Sequence, residues 1–499
     1  MGLLIIMWFL SHLYIIKYIN LVNSYRYMGF NRKSIAITKK FFLRLVRIME
    51  SNSNYADVLL IKDSSLNISR DNTEINIDND NDFGVKLRLF DGEFFHVFGT
   101  TGIDKQVLTQ KAKEFEKIKN KNKIKLDIDK RKLNKDFKTM INIDPSKITI
   151  KTKVDFVNNL QKKLVNADKK IINARVLYDE AHEFKIFVNK YKQLSQEIKT
   201  CFLMMLPFVK SKDGIRYYYK SLLNSGYEVT KIKKSLFDNI IDKTLKISKA
   251  KKLKPGRYTS ILSPELSGLL AHESFGHGME SDTLYKDRAQ AFEFLGKRIA
   301  SKQVSIIDNP ALTGKNGSFW FDDEGFMAGK TYLIKNGIVS QPITDMYSTT
   351  RLNNEMLCNK NYKIKRSGNA RAESYDHKNY ARMSNTYFAP GKSDVRAMIK
   401  KIKNGLYLHY SSGGMEDPKG WHVQIQGVVA EEIKNGKLTG KMFYEAGMTG
   451  YLPKILANIV AVGNKLLVPG TGRCGKGHKE WVRVSEGGPH LLIKDVELA

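Results

Sequence analysis

The sequence predicts an α+β fold in which an N-terminal domain of mixed sheet and helix precedes a β-rich C-terminal domain of antiparallel sheets. Strand-like alternation of apolar residues recurs in both halves, whereas helical periodicity is confined to a few separate stretches. The chain has 499 residues, more than one core usually serves, and 42% of them are hydrophobic. We place the domains at residues 49–228 and 229–499, after an extension at residues 1–48.

The N-terminal domain is expected to be a scaffold. Strands are predicted near residues 56–61, 84–90 and 94–99, followed by shorter strands between 173 and 220. Helices are predicted at residues 107–118 and 154–173, and we place the helices on one face of the sheet. This half contains no cluster of acids and histidines. We interpret His96 and His182 as surface or hydrogen-bonded histidines.

The C-terminal domain begins with a predicted helix at residues 231–249 and a boundary near Pro255. A second helix start follows, because Ser263 can act as N-cap, Pro264 suits the first helical position, and Glu265 favours the positive end of the helix dipole. We predict about three turns, with Leu266, Leu269 and Leu270 on the buried face. Beyond this helix the pattern is β-rich, and the Asn-Gly pairs at 336–337 and 435–436 predict hairpins.

The end of this helix has the composition of a zinc site. His272 and His277 supply two imidazoles, and Glu273 places a carboxylate directly beside the first, as in a zinc site with its general base. The alternative is a helix with two hydrogen-bonded histidines and a chance glutamate. A regular α-helix would place residues five apart roughly 140° around the axis, too far to share an ion. One wide turn with i→i+5 hydrogen bonds returns them to one face, so we predict a distorted helix end that Gly276 permits.

The site also needs a third protein ligand, and the chain has three cysteines. Cys201 and Cys358 lie in apolar surroundings and are interpreted as small core residues. Cys474 differs because it follows a glycine-rich stretch beside Arg473 and Lys476, two cations that favour a thiolate. His478 is an alternative ligand close by.

Two other motifs suggest different chemistry. Residues 470–477 nearly match a phosphate-binding loop, but Gly477 occupies the position that needs a hydroxyl, and the following residues predict a strand. The acidic run at residues 322–324 could bind a hard cation, although a solvated or turn-capping run is commoner. We do not assign nucleotide binding.

These segments together resemble the TldD/TldE (PmbA) family, also called modulators of DNA gyrase. The resemblance extends loosely from about residue 49 and includes the metal motif at 272–277, the Arg-Met-Ser-Asn-Thr-Tyr segment at 382–387 and the Arg-Cys-Gly-Lys segment at 473–476. TldD-type members are peptidases that complete a zinc site with a distant cysteine. The resemblance therefore implies that His272, His277 and Cys474 hold Zn²⁺, with Glu273 as the base.

The resemblance also implies partners and substrates. TldE-type members lack the metal motif, so this chain is expected to be the catalytic subunit, paired with a TldE-like subunit or with itself. The dimer would enclose the site in a cavity that admits unfolded peptides and excludes folded proteins. We predict that Arg382 and Asn385 line the substrate groove, with Arg371 a further candidate.

The N-terminal extension has alternative interpretations. Residues 1–16 are mostly apolar but are shorter than a spanning helix and lack the features of a secretion signal. The cationic residues 32–47 would suit an interfacial helix, which makes the extension the one expected place of membrane contact. Because the resemblance starts near Met49, translation could instead begin at Met28 or Met49. The cysteine content suits a reducing compartment, and we predict a cytoplasmic protein.

The formal net charge of +32 allows a second class of function. A basic protein that binds nucleic acid or an anionic membrane, with a structural metal closed by a fourth ligand such as His478, would also be consistent with this charge. Lys, Asn and Ile recur throughout the chain, and no paired-aromatic RNA-binding signature is present. We therefore favour a compositional origin of the charge and expect no nucleic-acid partner.

Overall fold

The structure is a computed structural model that describes residues 30–357, 362–410, 412–477 and 479–499. Within these residues two large sheets and one smaller sheet form layers, and helices pack against them. The predicted α+β fold is confirmed. The division into domains at residue 229 stays a prediction, because the helix that follows this position packs against both large sheets.

The N-terminal sheet has the strand order β3-β2-β1-β5-β6-β4, with β7 and β8 also paired to β6. Its pairings are antiparallel except for β4 with β6. The strands after residue 171 are long rather than short as predicted, because alternating apolar residues continue through both of them. The bounds are β1 Tyr55–Arg70, β2 Ile75–Phe90, β3 Phe95–Thr101, β4 Leu133–Lys138, β5 Ile171–Asn189, β6 Lys192–Ser211, β7 Gly214–Tyr217 and β8 Lys220–Asn224.

Helices cover one face of this sheet, as predicted. The β1 residues Val58, Leu60, Leu66 and Ile68 point toward the helices, whereas Leu59 points to the opposite face and packs in a cluster with Phe321. The second predicted helix ends at residue 165 instead of 173, where the chain turns into β5. The bounds are α1 Arg32–Met49, α2 Lys105–Glu116, α3 Ile150–Val165 and α4 Lys234–Ser248.

Helix α1 packs against the N-terminal sheet. Its residues Phe42, Leu45, Val46 and Met49 are buried in one cluster with β1, β2 and β5. The interpretation of residues 32–47 as an interfacial membrane helix is therefore wrong, because the apolar face is already covered. The apolar residues 1–16 lie outside the described residues. No helix within the described part of the chain is long and apolar enough to cross a membrane.

The larger C-terminal sheet has the order β18-β19-β17-β10-β24-β20-β9, with β21 paired to β24. Most neighbours are antiparallel, as predicted, but β10 runs parallel to β17 and β9 parallel to β20. The Asn-Gly hairpin at 435–436 is confirmed between β19 and β20, with positive φ at both residues. The bounds are β9 Lys251–Lys252, β10 Gly256–Leu262, β17 Asn404–Tyr410, β18 Gly413–Asp417, β19 His422–Lys434, β20 Lys437–Tyr451, β21 Ile459–Val462 and β24 Leu491–Leu498.

The smaller C-terminal sheet has the order β13-β12-β11-β16-β23-β22. Its strand β16 pairs in parallel with β23, and the predicted hairpin at 336–337 joins β12 to β13. The bounds are β11 Ile306–Asp308, β12 Thr331–Lys335, β13 Ile338–Val339, β16 Asn385–Phe388, β22 Gly472–Lys476 and β23 Lys479–Gly487, with β14 Ala370–Arg371 and β15 Tyr380–Ala381 as a separate pair. The remaining α-helices are α5 Pro264–Ala271, α6 Ser281–Tyr285, α7 Met346–Arg351, α8 Val395–Lys400 and α9 Leu452–Ala457.

Buried charges connect the two halves. Arg88 on β2 donates to Asp57 at 2.9 and 2.5 Å and to Glu324 at 2.9 Å, and Arg366 donates to Glu324 at 2.9 Å. Neighbouring Asp323 lies 2.8 Å from Lys185 on β5. The acidic run at 322–324 is therefore not solvated. It joins the N-terminal sheet to the C-terminal half through paired charges.

Removing helix α1 is expected to destabilise the protein severely. A chain that begins at Met49 loses the buried side chains of Phe42, Leu45 and Val46. Each is worth about 1.5–3 kcal/mol on burial, and their sum approaches the whole stability of many proteins. A chain that begins at Met28 keeps the helix. Denaturant unfolding should therefore show a cooperative transition for the Met28 protein only, and equal stability of both proteins would contradict the observed packing.

Removing the charge of Arg88 tests the buried network. The Arg88→Met substitution leaves Asp57 and Glu324 buried with fewer cationic partners, and we expect it to lower the free energy of unfolding by about 3–5 kcal/mol. The matched control, Arg257→Met, breaks an exposed pair with Asp495 and should cost less than about 1 kcal/mol. Equal shifts of the denaturation midpoint in both variants would show that the network adds no stability.

Candidate metal centre

Helix α5 begins as its sequence predicts and lies directly on a strand. The Ser263 Oγ accepts a hydrogen bond from the Leu266 backbone N–H at 3.4 Å, and Pro264 occupies the first turn. Leu266 and Leu270 are buried. A Cβ atom on Gly268 would lie 2.2 Å from the Gly487 backbone nitrogen, so glycine allows α5 to approach β23 closely.

A wide turn follows α5 and confirms the predicted distortion. Residues His272–Gly276 form the i→i+5 turn, and His277–Met279 tighten into a short 3₁₀ turn. The rings of His272 and His277 consequently lie 5.0 Å apart between centroids. A Cβ on Gly276 would clash with the sulfur of Met383 at 2.0 Å, so glycine allows the turn to pack closely against the segment that carries Met383.

Strand β22 brings Cys474 to these histidines. The Cys474 Sγ lies 3.3 Å from the His277 Nε2, although the two residues are 197 positions apart. One ligand atom each from His272, His277 and Cys474 all lie within 4.8 Å of one another. The site predicted from sequence is thus assembled from a helix end and a distant hairpin.

The three side chains fit a zinc ion by their chemistry and spacing. Thiolate and imidazole are preferred Zn²⁺ ligands, and bonds of about 2.0–2.3 Å in a tetrahedron place nitrogen and sulfur about 3.5 Å apart. The 3.3 Å between Cys474 and His277 is close to this value. In addition, the buried Nδ1 of His272 has no hydrogen-bond partner among the described residues. These features suit a site with three protein ligands and one open position.

The electrostatics favour a thiolate at Cys474. Burial opposes its ionisation, but the charges and hydrogen bonds of His277 and His272 outweigh burial and lower the pKa of the thiol to about 5. The thiolate in turn overcomes burial at His272 and raises its pKa to about 9. The prediction that Arg473 and Lys476 favour the thiolate is wrong in its cause: Arg473 is exposed, and Lys476 is paired with Glu280 and Asp282.

Glu280 lies behind His277, and sequence reasoning missed it. Its Oε2 lies 3.7 Å from the His277 Nδ1 and 2.9 Å from the Lys476 Nζ, while Arg382 approaches its other oxygen at 3.3 Å. Burial opposes the charge of Glu280, but Lys476, His277 and Arg382 hold the pKa of this carboxyl well below its usual value. A carboxylate behind a ligand histidine is a common support of metal sites. The spacing of three residues on one helical turn could have indicated it.

Glu273 lies beside a second carboxyl group that the sequence did not reveal. Ligand atoms of Glu273, His277 and Glu416 lie within 4.8 Å of one another. Burial raises the pKa of Glu273 to about 7; the charge of His272 opposes this rise, and a hydrogen bond with Glu416 adds to it. A carboxyl group poised near neutrality suits an exchange of protons. No local pattern links Glu416, on β18, to the helix.

The two residues predicted to bind substrate are buried. Arg382 donates to the backbone oxygens of Cys474, at 2.8 Å, and Glu480, so it holds the hairpin that carries the cysteine. Asn385 donates to the Asn309 backbone oxygen at 2.8 Å and accepts from the Gly317 N–H. Direct contact with substrate stays a prediction for both, and their burial argues for a supporting role instead.

The remaining candidates that the structure describes are not part of this centre. Cys201 is buried in a core cluster, as predicted, whereas Cys358 and His478 lie outside the described residues. His96 lies 2.9 Å from Asp91, which confirms a hydrogen-bonded histidine, and the Nε2 of His182 lies 3.1 Å from a carboxylate oxygen of Glu197. Residues 472–476 and 479–487 form strands, as expected from the rejected phosphate-loop interpretation.

Comparisons with known proteins agree with this geometry. Residues 255–499 match the family described as the PmbA/TldA metallopeptidase C-terminal domain. A metalloprotease of Methanocaldococcus jannaschii is 30% identical over 392 residues, which cover 76% of this chain and 82% of that protein. A zinc metalloprotease TldD homologue of Saccharolobus solfataricus is 30% identical, over 48% of this chain and 52% of its own length.

Solved structures share the fold at low sequence identity. A protein named as a modulator of a DNA gyrase from Thermotoga maritima has a TM-score of 0.73 and 16% identity, over 93% of this chain and all of its own. TldE from Thermococcus kodakarensis has a TM-score of 0.70 and 13% identity, over 91% of this chain and 99% of its own. Similar length, shared fold and the relatives' sequence identity lead to one conclusion: the chain belongs to the TldD/PmbA family of metallopeptidases.

Proposed function

We propose that this chain is a zinc-dependent peptidase that hydrolyses unfolded peptides or small unstructured proteins. The observation that carries the proposal is the convergence of His272, His277 and Cys474, whose ligand atoms lie within 4.8 Å of one another. Two imidazoles and one thiolate are a donor set for a catalytic zinc ion, and the adjacent carboxyl group can serve as its general base. The relatives' names, metalloprotease and zinc metalloprotease, support this assignment.

In this proposal His272, His277 and Cys474 hold Zn²⁺. The ion, when bound, would make a water molecule acidic enough to attack near neutral pH and would polarise the scissile carbonyl. The chain's own contribution is to keep the three ligands in place. Glu280 orients His277, and Arg382 fixes the hairpin of Cys474 through its backbone oxygen.

Glu273 would act as the general base and acid. Its carboxylate would accept the proton of the attacking water and then deliver that proton to the leaving amine. Burial, which raises the pKa of Glu273, favours a carboxyl group that can both accept and release a proton. Glu416 lies beside Glu273 as a second carboxyl group. Gly414, on the same strand as Glu416, leaves space for the Glu273 side chain, because a Cβ on Gly414 would lie 2.9 Å from the Glu273 Cγ.

We further propose that the catalytic residues belong to a C-terminal domain, residues 229–499, that the N-terminal domain supports. The likeness to TldE suggests a subunit of the same shape as partner, or a second copy of this chain. Enclosure by such a partner would restrict substrates to unfolded chains. Light scattering on the purified chain, alone and mixed with a TldE-like protein, distinguishes these assemblies.

The base and the ligands should respond differently to substitution. Glu273→Gln removes the proton acceptor but leaves the ligands, so we expect one zinc per chain and a loss of at least about 100-fold in peptide cleavage. Cys474→Ser replaces a soft ligand by a hydroxyl group, so we expect loss of both zinc and cleavage. Zinc content is measured by elemental analysis, and cleavage is measured with an unstructured peptide.

The matched control for the cysteine is Cys201→Ala, which removes a buried thiol in a core cluster other than the one that contains Cys474. This variant should keep its zinc and its cleavage. Full zinc in Cys474→Ser would contradict the third ligand, and full activity in Glu273→Gln would contradict the base. Chelation should abolish cleavage in the unmodified protein, and added zinc should restore it.

A further inference from the structure

A cavity lies beside the metal centre, between the N-terminal sheet and the C-terminal half. Its volume is about 250 Å³. A cavity of about 150 Å³ is enough to hold benzene, so this one has room for a larger, substituted ring. The cavity has no part in the mechanism above.

The walls of this cavity are rich in aromatic rings. Phe202 and Met204 on β6 face it, because the alternation of the strand points their neighbours Leu203 and Met205 into the core on the other side. Tyr219 and Tyr410 complete the wall, with ring centroids 4.8 Å apart in an edge-on arrangement. Aromatic and thioether groups at these positions favour a ring as the occupant.

Three wall segments lead directly into the proposed catalytic residues. Leu269 precedes His272 on the same helix, Gly413 precedes the glycine that contacts Glu273, and Thr471 precedes Cys474 by three residues. Three residues of a strand span roughly 10 Å. A fourth wall residue, Glu486, is close enough that the charges of His272 and Cys474 both act on its pKa, which burial raises. The cavity therefore lies within roughly 10 Å, or about three residues of an extended peptide, of the proposed metal ligand Cys474.

Three polar side chains in the wall, those of His409, Tyr410 and Thr471, lack a hydrogen-bond partner in the part of the chain that the structure describes. His409 is 7% exposed and lines the cavity, and neither of its ring nitrogens has a hydrogen-bond partner among the described residues. Burial, aided by Lys243, lowers the pKa of this imidazole to about 3, so the ring is neutral and offers one donor and one acceptor. A buried imidazole without partners is costly unless a ligand supplies them.

We propose that this cavity is a specificity pocket that binds an aromatic side chain with a polar tip, tyrosine above all, at a position flanking the cleaved bond. The aromatic walls would hold the ring, and His409 would bond to its hydroxyl group. This inference rests on the proposed peptidase function, because it names the substrate residue that the same site selects.

The test uses a set of unstructured peptides that differ at single positions around one cleavable bond, with Ala, Leu, Phe or Tyr at each. We expect one position at which Tyr exceeds Ala by about tenfold or more in kcat/KM, from burial of the ring. Tyr should exceed Phe about threefold to tenfold, from one hydrogen bond. Equal rates for all residues at every position would overturn the proposal.

Two variants locate the preference. His409→Phe keeps the ring shape without nitrogen atoms, so the Tyr-to-Phe ratio should fall to about one. Met204→Trp fills the cavity, so the Tyr-to-Ala ratio should fall at least several-fold. The matched control, Met140→Trp, makes the same change at a residue that is 93% exposed and should keep both ratios. Ratios unchanged in His409→Phe and Met204→Trp would place the preference elsewhere and overturn the pocket.

A binding measurement separates failure of the pocket from failure of the proposed function. Zinc-loaded Glu273→Gln is titrated calorimetrically with the Tyr and Ala peptides. The Tyr peptide should bind more tightly than the Ala peptide, and the difference should disappear when Met204→Trp is added to Glu273→Gln. This result supports the pocket even if no peptide is cleaved. Equal affinities for the Tyr and Ala peptides would overturn the pocket. They would not bear on peptide hydrolysis, which the zinc and cleavage measurements test separately.

Discussion

The wide turn at His272–Gly276 is the constraint on which the site depends. It adds one residue to the helical spacing and thereby returns His277 to the side of His272. The distortion is fixed by close packing: Gly268 contacts the backbone of β23, and Gly276 contacts Met383. Helix α5 packs on the same sheet that carries the Cys474 hairpin. This shared support fixes the position of the two histidines relative to Cys474.

Buried charges hold the hairpin of β22 and β23 in place. Arg382 joins Cys474, Glu280 and Glu480, and Glu280 contacts both His277 and Lys476 of the hairpin. Farther out, Glu324 and Asp323 connect the C-terminal half to Arg88 and Lys185 of the N-terminal sheet. The N-terminal sheet thus supports the site without supplying a proposed ligand, and its strand β6 forms one wall of the adjacent cavity.

Local patterns predicted what local physics determines. The N-cap of α5, the wide turn and both Asn-Gly hairpins could be predicted from residue type and spacing alone. Residues brought in from distant strands could not: Glu416 on β18 has no sequence signal that links it to Glu273. Burial was also misjudged at residues 32–47, whose cations suggested an interfacial helix although the helix packs against the N-terminal sheet. Whether such residues are buried depends on their contacts with distant strands, and the local sequence does not reveal those contacts.

X-ray absorption at the zinc edge of the purified protein identifies the atoms that bind the metal. We expect one sulfur neighbour at about 2.3 Å and two imidazole nitrogens at about 2.0–2.1 Å, with a lighter fourth neighbour. The Cys474→Ser variant should lose the sulfur signal together with its zinc. Zinc bound without sulfur, or bound by several sulfur atoms, would contradict a centre made of His272, His277 and Cys474.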